Sequence, residues 1–308
     1  MPPGAAAPSR RDIRLALVLM YIAPLLFTGN QVMARAAAGL FPPIAMSFWR
    51  WVLAALLFLP FVGPELWRKR RTILAEWPNH LVLGALGMGV CGAAVYIGAA
   101  TTTATNIGII YGASPVLIVA LACALYGERL TARGVAGIAL ALAGMLWIIV
   151  RGDMGALARL EFTVGDLWIA AASFSWAIYS VLLTHRPSVM TVLTRLAVNV
   201  MAGIVILLPF TIWEAATVGP PPLDWRSLGI VVFLALVPSM GAYQCHARVQ
   251  KVLGASGTAP MLYVGPLYSV AVAWATLGEQ PHLYHLIGAV LILPGVYLAT
   301  YRPSKRVS

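Results

Sequence analysis

The chain has 308 residues, of which 60% are hydrophobic and only 10% are charged. Soluble domains carry about 25% charged residues, so this composition excludes a soluble protein, whose surface needs a polar shell. The formal net charge of +11 comes from short basic clusters between apolar runs, such as Arg68–Arg71, which suit anionic lipid headgroups rather than nucleic acid. We therefore expect an integral membrane protein.

Ten apolar runs follow one another, and each is long enough to cross the hydrocarbon layer, which takes about 20 predominantly apolar residues. They cover residues 13–34, 43–62, 79–99, 102–125, 132–150, 164–184, 190–213, 226–246, 256–277 and 283–301. Residues 1–12 form a polar, basic tail without the pattern of a removable signal peptide. A polar linker, 151–162, separates the first five spans (13–150) from the last five (163–301), and residues 302–308 form a second tail.

The basic residues of the loops predict the orientation of the spans. With the N-terminus inside, fifteen Lys and Arg residues of the loops and tails face the cytoplasm and four face outward. Cytoplasmic loops are enriched in these residues, so both tails are expected to be cytoplasmic. The expected location is the inner (plasma) membrane, crossed several times.

One segment occurs twice in the chain. Residues 115–128 (PVLIVALACALYGE) and 266–279 (PLYSVAVAWATLGE) are identical at seven of fourteen positions, and the register continues from Gly137 to Gly288 and from Gly144 to Gly295. Because each half has an odd number of spans, the second half must enter the membrane in the opposite sense. We expect an all-α protein whose ten transmembrane helices form two inverted five-helix repeats, an architecture typical of secondary transporters.

Pro115 and Pro266 lie at matched positions near the middle of their spans. Each lacks an N–H, which leaves the carbonyl four residues earlier, at Tyr111 or Leu262, without its helical donor. Either proline alone is equally consistent with a kink whose carbonyl finds a neighbouring hydroxyl. The matched pair favours helix breaks that border a wet cavity and take part in gating.

No acidic residue lies at the centre of a span, so a buried carboxylate for a proton or an organic cation is not expected there. Arg50 is the most deeply placed charge, and it can snorkel to the outer interface or face a cavity. In the sixth span, a mixed polar and aromatic face is either interhelical glue or a cavity wall; it comprises Ser173, Trp176, Ser180 and Thr184.

Polar and aromatic side chains within the spans are the candidates for substrate binding. Any one of them is more often a packing residue, but together they predict a neutral, amphipathic cavity. The candidates are Asn30, Arg50, Tyr96, Asn106, Tyr111, Ser114, Trp176, Tyr179, Tyr243, Gln244 and Tyr263.

Two carboxylates, Glu128 and Glu279, end the two copies of the repeated segment. Their equivalent places favour pairing at helix ends, for example with Arg129 or Arg133, over binding of a coupling proton.

Patterns that usually carry enzymatic chemistry do not do so in this chain. Gly87–Gly92 matches the dinucleotide fingerprint, but it lies inside an apolar span, where glycines permit close helix contact. All five histidines lie at or near span ends, and His282 and His285 lack the cysteine or paired carboxylate that would complete a metal site. We expect no cofactor, no metal and no enzymatic activity.

Short motifs in a specific order resemble the drug/metabolite transporter superfamily, in its ten-span EamA branch. Leu25–Asn30 resembles the first-span motif, usually Leu-Leu-Trp-Gly-x-Asn, from which Phe27 and Thr28 depart. The other matching segments are Phe48–Arg50, Ser114–Pro115, Gly127–Thr131, Gly165–Leu167 and Ser175–Tyr179. Within the branch, aromatic amino-acid exporters of the YddG type are most similar. The resemblance implies a basket of ten helices that moves small metabolites by alternating access.

The leading hypothesis is an exporter of amino acids or similar small metabolites through a central neutral, aromatic cavity. An exporter of hydrophobic drugs or organic cations is the first alternative, and a non-transporting receptor or membrane enzyme is the second. The expected partners are a small-molecule substrate and membrane lipid, and the protein can function as a monomer.

Overall fold

The structure is a computed structural model that describes residues 9–186, 188–277 and 280–300. The regular elements of this part of the chain are helices. The α-helices, in chain order, are α1 (Arg10–Ala36), α2 (Pro43–Arg68), α3 (Arg70–Ala75), α4 (Trp77–Gly84), α5 (Cys91–Ala99), α6 (Ala104–Gly112), α7 (Ser114–Tyr126), α8 (Ala132–Ile149), α9 (Val164–His185), α10 (Val192–Thr217), α11 (Trp225–Leu234), α12 (Tyr243–Thr258), α13 (Gly265–Leu277) and α14 (Leu283–Thr300). Two π-helical segments, Ala85–Val90 and Ala235–Ala242, join α4 to α5 and α11 to α12.

Nine segments of the described ranges are long and apolar enough to cross a membrane. Eight of them correspond to single spans expected from the sequence, but the segment Trp225–Val272 has 48 residues and contains two. A straight helix of that length would measure about 72 Å, more than twice the thickness of the hydrocarbon layer. It is interrupted at Gly254, whose φ of 76° and ψ of 178° are not helical.

Two helices from opposite halves, α8 and α14, cross at glycines. A Cβ added to Gly137 would lie 2.6 Å from the carbonyl oxygen of Gly295, and one on Gly144 would lie 2.8 Å from that of Gly288. From the first contact to the second, the residue number increases in α8 and decreases in α14, so the two helices are antiparallel. The repeat register places Gly137 on Gly288 and Gly144 on Gly295, so each contact is the counterpart of the other.

Helices α2 and α10 are also joined in a reciprocal way. Both have 26 residues, and each carries a glutamate three residues before its last residue. The Glu214 carboxylate accepts from the backbone N–H groups of Ile44 (3.0 Å) and Ala45 (2.7 Å) at the start of α2. The Glu65 carboxylate accepts from the backbone N–H of Thr191 (3.1 Å) just before α10. Each carboxylate thus satisfies free N–H groups at the N-terminus of the other helix, where the helix dipole also favours a negative charge.

We expect Gly137→Ala to destabilise the protein by about 1–3 kcal/mol, because its new methyl group meets backbone atoms that cannot rotate away. Those atoms are the Ala299 nitrogen at 2.5 Å and the Gly295 oxygen at 2.6 Å. Thermal unfolding in detergent measures the loss. The control is Gly229→Ala in α11, whose Cβ would meet no atom within 4 Å and which should be neutral or stabilising. Equal melting temperatures for the two variants would contradict the close crossing.

Candidate functional site

A cavity of about 120 Å³ lies between the two halves of the chain. The α1 residues that line the cavity belong to the second half of that helix, and the α6 residues that line it lie near the middle and end of α6. It therefore lies toward the end of the bundle that carries the 151–162 linker, which we call the linker end; the opposite end, where α1 begins, is the termini end. The sequence candidates that line the cavity are Asn30, Arg50, Tyr111, Pro115, Trp176, Tyr243, Tyr263 and Pro266.

Among the described residues that line the cavity, Arg50 is the only one with a charged side chain. It is 2% exposed, so it does not snorkel to the interface. Its Nη1 donates to the Asn30 Oδ1 at 2.9 Å, and the Tyr96 hydroxyl donates to the same oxygen at 2.7 Å. The guanidinium lies 4.4 Å from the centroid of the Trp51 ring.

The charge of Arg50 is not compensated by any acidic side chain in the described part of the chain. None of the ion pairs found there includes it, and its Nε has no hydrogen-bond partner. Gly92 on α5 permits the close approach, since a Cβ there would lie 3.3 Å from Arg50 Nη2 and 2.7 Å from Ser47 Oγ. The wall therefore offers a fixed positive charge with free hydrogen-bonding capacity.

Three rings close the cavity on the side of the termini end, and we call them the aromatic layer: Phe27, Trp176 and Tyr243. The Trp176 centroid lies 5.5 Å from that of Phe27, 5.4 Å from that of Tyr243 and 4.8 Å from that of His246. The Tyr243 hydroxyl donates to the Gly87 carbonyl at 2.8 Å, which ties the layer to the π-helical segment. The three rings of the layer line the cavity, whereas His246, which contacts Trp176, lies behind them.

The two prolines border the cavity at breaks in their helices. The break before Pro115 falls at Ala113, between α6 and α7, and Pro266 follows a 3₁₀ segment, Ala259–Val264. Ser114 does not face the cavity, because its hydroxyl pairs with that of Ser173 at 2.8 Å. Of the polar face of the sixth span, Ser173 thus makes an interhelical contact, whereas Trp176 lines the cavity.

Four other candidates also lie away from the cavity. Asn106 is in the first turn of α6, because the helix begins at Ala104, and its amide donates to the Asp166 carboxylate (3.0 Å) and the Glu161 carbonyl (2.9 Å). Tyr96 supports Asn30 from behind. The Tyr179 ring packs over Gly87, where a Cβ would lie 2.8 Å from it. Gln244 does not line the cavity either.

Glu128 joins the two halves at the termini end. Its carboxylate accepts from the Ser256 hydroxyl at 2.5 Å and lies 3.2 Å from the His185 Nε2. These partners replace Arg129 and Arg133, the bases expected from the sequence, because the left-handed Gly127 (φ 62°) turns the chain at the end of α7. Glu279 lies outside the described residues.

His246 is the residue of this region that sequence reasoning missed. The expected span ended at residue 246, but α12 continues beyond it, so His246 is inside a helix and 1% exposed. Arg248 and Lys251 made the segment resemble a loop. The helical spacing of Val249 and Leu253, both buried, is the signal that could have corrected the boundary.

The described residues contain no group of three or more His, Cys, Asp or Glu side chains that could hold a metal ion.

Comparison with known proteins places the chain in a family. Residues 14–150 and 163–301 each match the model of the EamA-like transporter family. The chain is 26% identical to an uncharacterized transporter, YyaM, of Bacillus subtilis, over 93% of this chain and 94% of the relative. It is 26% identical to a probable amino-acid metabolite efflux pump of Salmonella typhimurium, over 97% of this chain and 99% of the pump.

A third relative, a probable terminal-alkyne amino-acid exporter of Streptantibioticus cattleyicolor, is 28% identical over 85% of each chain. A solved crystal structure with 20% sequence identity has the same fold, with a TM-score of 0.72 over 92% of this chain and 96% of that one. The family and these relatives are transporters, not enzymes, and the apolar helices make the chain a multi-pass membrane protein. The chain belongs to the EamA-like transporter family.

Proposed function

We propose that the protein exports amino acids or similar small zwitterionic metabolites by alternating access at the cavity. The observation that carries the proposal is the buried guanidinium of Arg50, which faces the cavity without a carboxylate partner among the described residues. A substrate carboxylate supplies the missing partner, because an arginine fork binds a carboxylate through two parallel hydrogen bonds.

The rest of the cavity suits the other parts of an amino acid. Pro115 and Pro266 leave the carbonyls of Tyr111 and Leu262 without their helical donors. In the structure these carbonyls accept instead from the backbone N–H groups of Ala113 and Gly265, and the second lone pair of each oxygen is left for an ammonium group. The Trp176 and Tyr243 rings provide an apolar surface for the side chain. The names of two relatives, an amino-acid metabolite efflux pump and an amino-acid exporter, support this substrate class.

The charge of the wall weighs against the alternative of a cation exporter. Two like charges about 4 Å apart repel by about 4 kcal/mol at the effective dielectric constant typical of protein sites. Arg50 would therefore oppose an organic cation in the same cavity. The membership of a transporter family weighs against the receptor and enzyme alternatives.

The proposal includes an architecture of ten crossings in two inverted repeats, 13–150 and 163–301, with both tails cytoplasmic. The family model matches each half separately. The glycine contacts between α8 and α14 and the carboxylate contacts between α2 and α10 are reciprocal, as a two-fold relation requires. The length of the 48-residue segment and its interruption at Gly254 support two crossings there. The excess of basic residues on the termini side supports the orientation in the inner membrane.

Counterflow in proteoliposomes tests the proposal. Vesicles loaded with unlabelled amino acids are offered a panel of labelled ones, and we expect transient accumulation of some labels above the level in protein-free vesicles. Labelled hydrophobic cations are run in parallel. Accumulation of cations but of no amino acid, with the protein shown to be folded, would contradict the proposal and favour the drug-exporter alternative.

A further inference from the structure

Behind the aromatic layer lies a group of buried polar atoms without protein partners. Both ring nitrogens of His246, the Oε1 of Gln250 and the Oγ of Ser180 have no hydrogen bond within the described structure. The three side chains are 1%, 3% and 0% exposed. Buried polar groups are nearly always paired, so four such atoms in one place require an explanation.

The three side chains belong to two facing helices and form one surface. His246 and Gln250 are four residues apart on α12, and Trp176 and Ser180 are four residues apart on α9, so each pair lies on one helix face. The His246 ring lies 4.8 Å from the Trp176 ring, and the Gln250 Nε2 donates to the Ser180 carbonyl at 3.2 Å. The surface thus extends from the aromatic layer toward the termini end.

The line of polar groups continues past this surface to the bundle end. His185 is on the same helix as Ser180, one turn and a residue farther on, and it pairs with Glu128. Glu128 also accepts from Ser256. The order from the linker end to the termini end is therefore cavity, aromatic layer, unpaired polar groups and the Glu128 contacts.

Resting on the transport function proposed above, we propose that His246, Gln250 and Ser180 form a second, uncharged substrate station, which is reached when the aromatic layer opens. In the present state packed helices cover these side chains, and the two His246 nitrogens, the Gln250 Oε1 and the Ser180 Oγ are unpaired. In the state open to the termini end, water and the polar end of the substrate pair them, and this offsets the cost of leaving them unpaired.

The chemistry of the station suits the same zwitterionic substrates as the cavity. A neutral imidazole has one donor and one acceptor nitrogen, and a serine hydroxyl is also a donor. The two donors suit a carboxylate. The Gln250 Oε1 is an acceptor for an ammonium group. Because none of the three groups need carry a charge, the station holds the substrate more loosely than Arg50 does and releases it more readily.

Replacement of His246 by leucine separates this role from packing. We expect the counterflow rate of His246→Leu to fall at least tenfold, while equilibrium binding of the substrate in the cavity changes by less than twofold. Its melting temperature should not fall, because the change removes two unpaired buried atoms. His246→Gln restores a donor and an acceptor and should recover most of the rate.

The matched control is His80→Leu. His80 is also 1% exposed and its Nε2 also lacks a hydrogen bond, but its Nδ1 is 2.7 Å from the Asn199 Oδ1. This variant should melt at a lower temperature and should keep the parent rate per folded molecule. A variant that loses transport but not stability marks a residue of the transport station, whereas a variant that loses stability but not transport marks a structural histidine.

Accessibility gives a second readout. Ser180→Cys, which keeps a donor and an acceptor at its position, is placed in a chain in which Cys91, Cys123 and Cys245 are replaced by alanine and whose counterflow has been confirmed. A hydrophilic methanethiosulfonate should modify the new cysteine slowly at rest and at least tenfold faster during counterflow. The proposal of a second station would be wrong if counterflow did not accelerate modification of the cysteine. It would also be wrong if His246→Leu had the counterflow rate of the parent. Absence of counterflow in the unmutated protein would instead count against the proposed function.

Discussion

Arg50→Gln is expected to lower amino-acid transport by roughly 10- to 100-fold at low substrate concentration. A hydrogen bond to a charged group contributes about 1.5–3 kcal/mol, and about 1.4 kcal/mol corresponds to a factor of ten. Arg50 faces the cavity, is buried and has no carboxylate partner among the described residues. Under the proposed function, its loss removes the charge that holds the substrate carboxylate. Glutamine can still donate to Asn30, so the fold should be retained.

Concentration-dependent counterflow measures this effect, together with the melting temperature of the variant. The control is Arg159→Gln, the same change of charge at an exposed linker residue that pairs with Asp153 and does not line the cavity, and it should transport like the parent. Arg50→Lys is informative as well, because lysine keeps the charge but loses the planar fork. Parent kinetics in Arg50→Gln would show that the guanidinium does not bind substrate.

Family membership and the multi-pass helical fold are confirmed, and both were evident in composition and short motifs. The ten crossings and the substrate-binding residues stay predictions. Pro115 and Pro266 could be located from the sequence because a repeated segment marks equivalent positions in the two halves, whatever the exact helix ends are. Both border the cavity in the structure. Arg50 could be selected because a charge so deep in a span is costly unless it has a role.

Residues near helix ends were harder to place. A difference of two residues in the start of α6 puts Asn106 in a capping turn with Asp166 instead of at the cavity. His246 was missed because charged neighbours on the opposite helix face hid the continuation of α12. In both cases tertiary contacts decide the helix limits, and hydropathy does not report them.

The carboxylate contacts of α2 and α10 had a weak signal in the sequence. Residues 59–61 and 208–210 both read Leu-Pro-Phe, and in each helix a glutamate follows five residues after the proline: Glu65 after Pro60 and Glu214 after Pro209. The matched spacing is what the proposed two repeats predict for equivalent helices. A carboxylate near a helix end does not reveal which helix it will contact, so the pairing itself required the structure.

Trp176→Ala is expected to cause the largest loss of stability among single changes in the aromatic layer, about 3–5 kcal/mol, as for other buried aromatic residues replaced by alanine. The Trp176 side chain is 4% exposed and contacts the rings of Phe27, Tyr243 and His246. Sequence reasoning placed Trp176 in the site as a surface for the substrate. The structure adds that the same ring fills the space between the cavity and the termini end.

Thermal unfolding in detergent, followed by counterflow with the protein that remains folded, separates the two roles. Trp176→Phe keeps an aromatic ring and should lose much less stability. The control is Trp213→Ala on α10, where the side chain is 61% exposed and the expected change is within about 0.5 kcal/mol. Because the layer separates the cavity from His246, folded Trp176→Ala should also expose position 246 to hydrophilic reagents at rest. If Trp176→Ala melts no earlier than Trp213→Ala, the three rings of the layer are not a packed closure, and the barrier between the cavity and the termini end must lie elsewhere in the bundle.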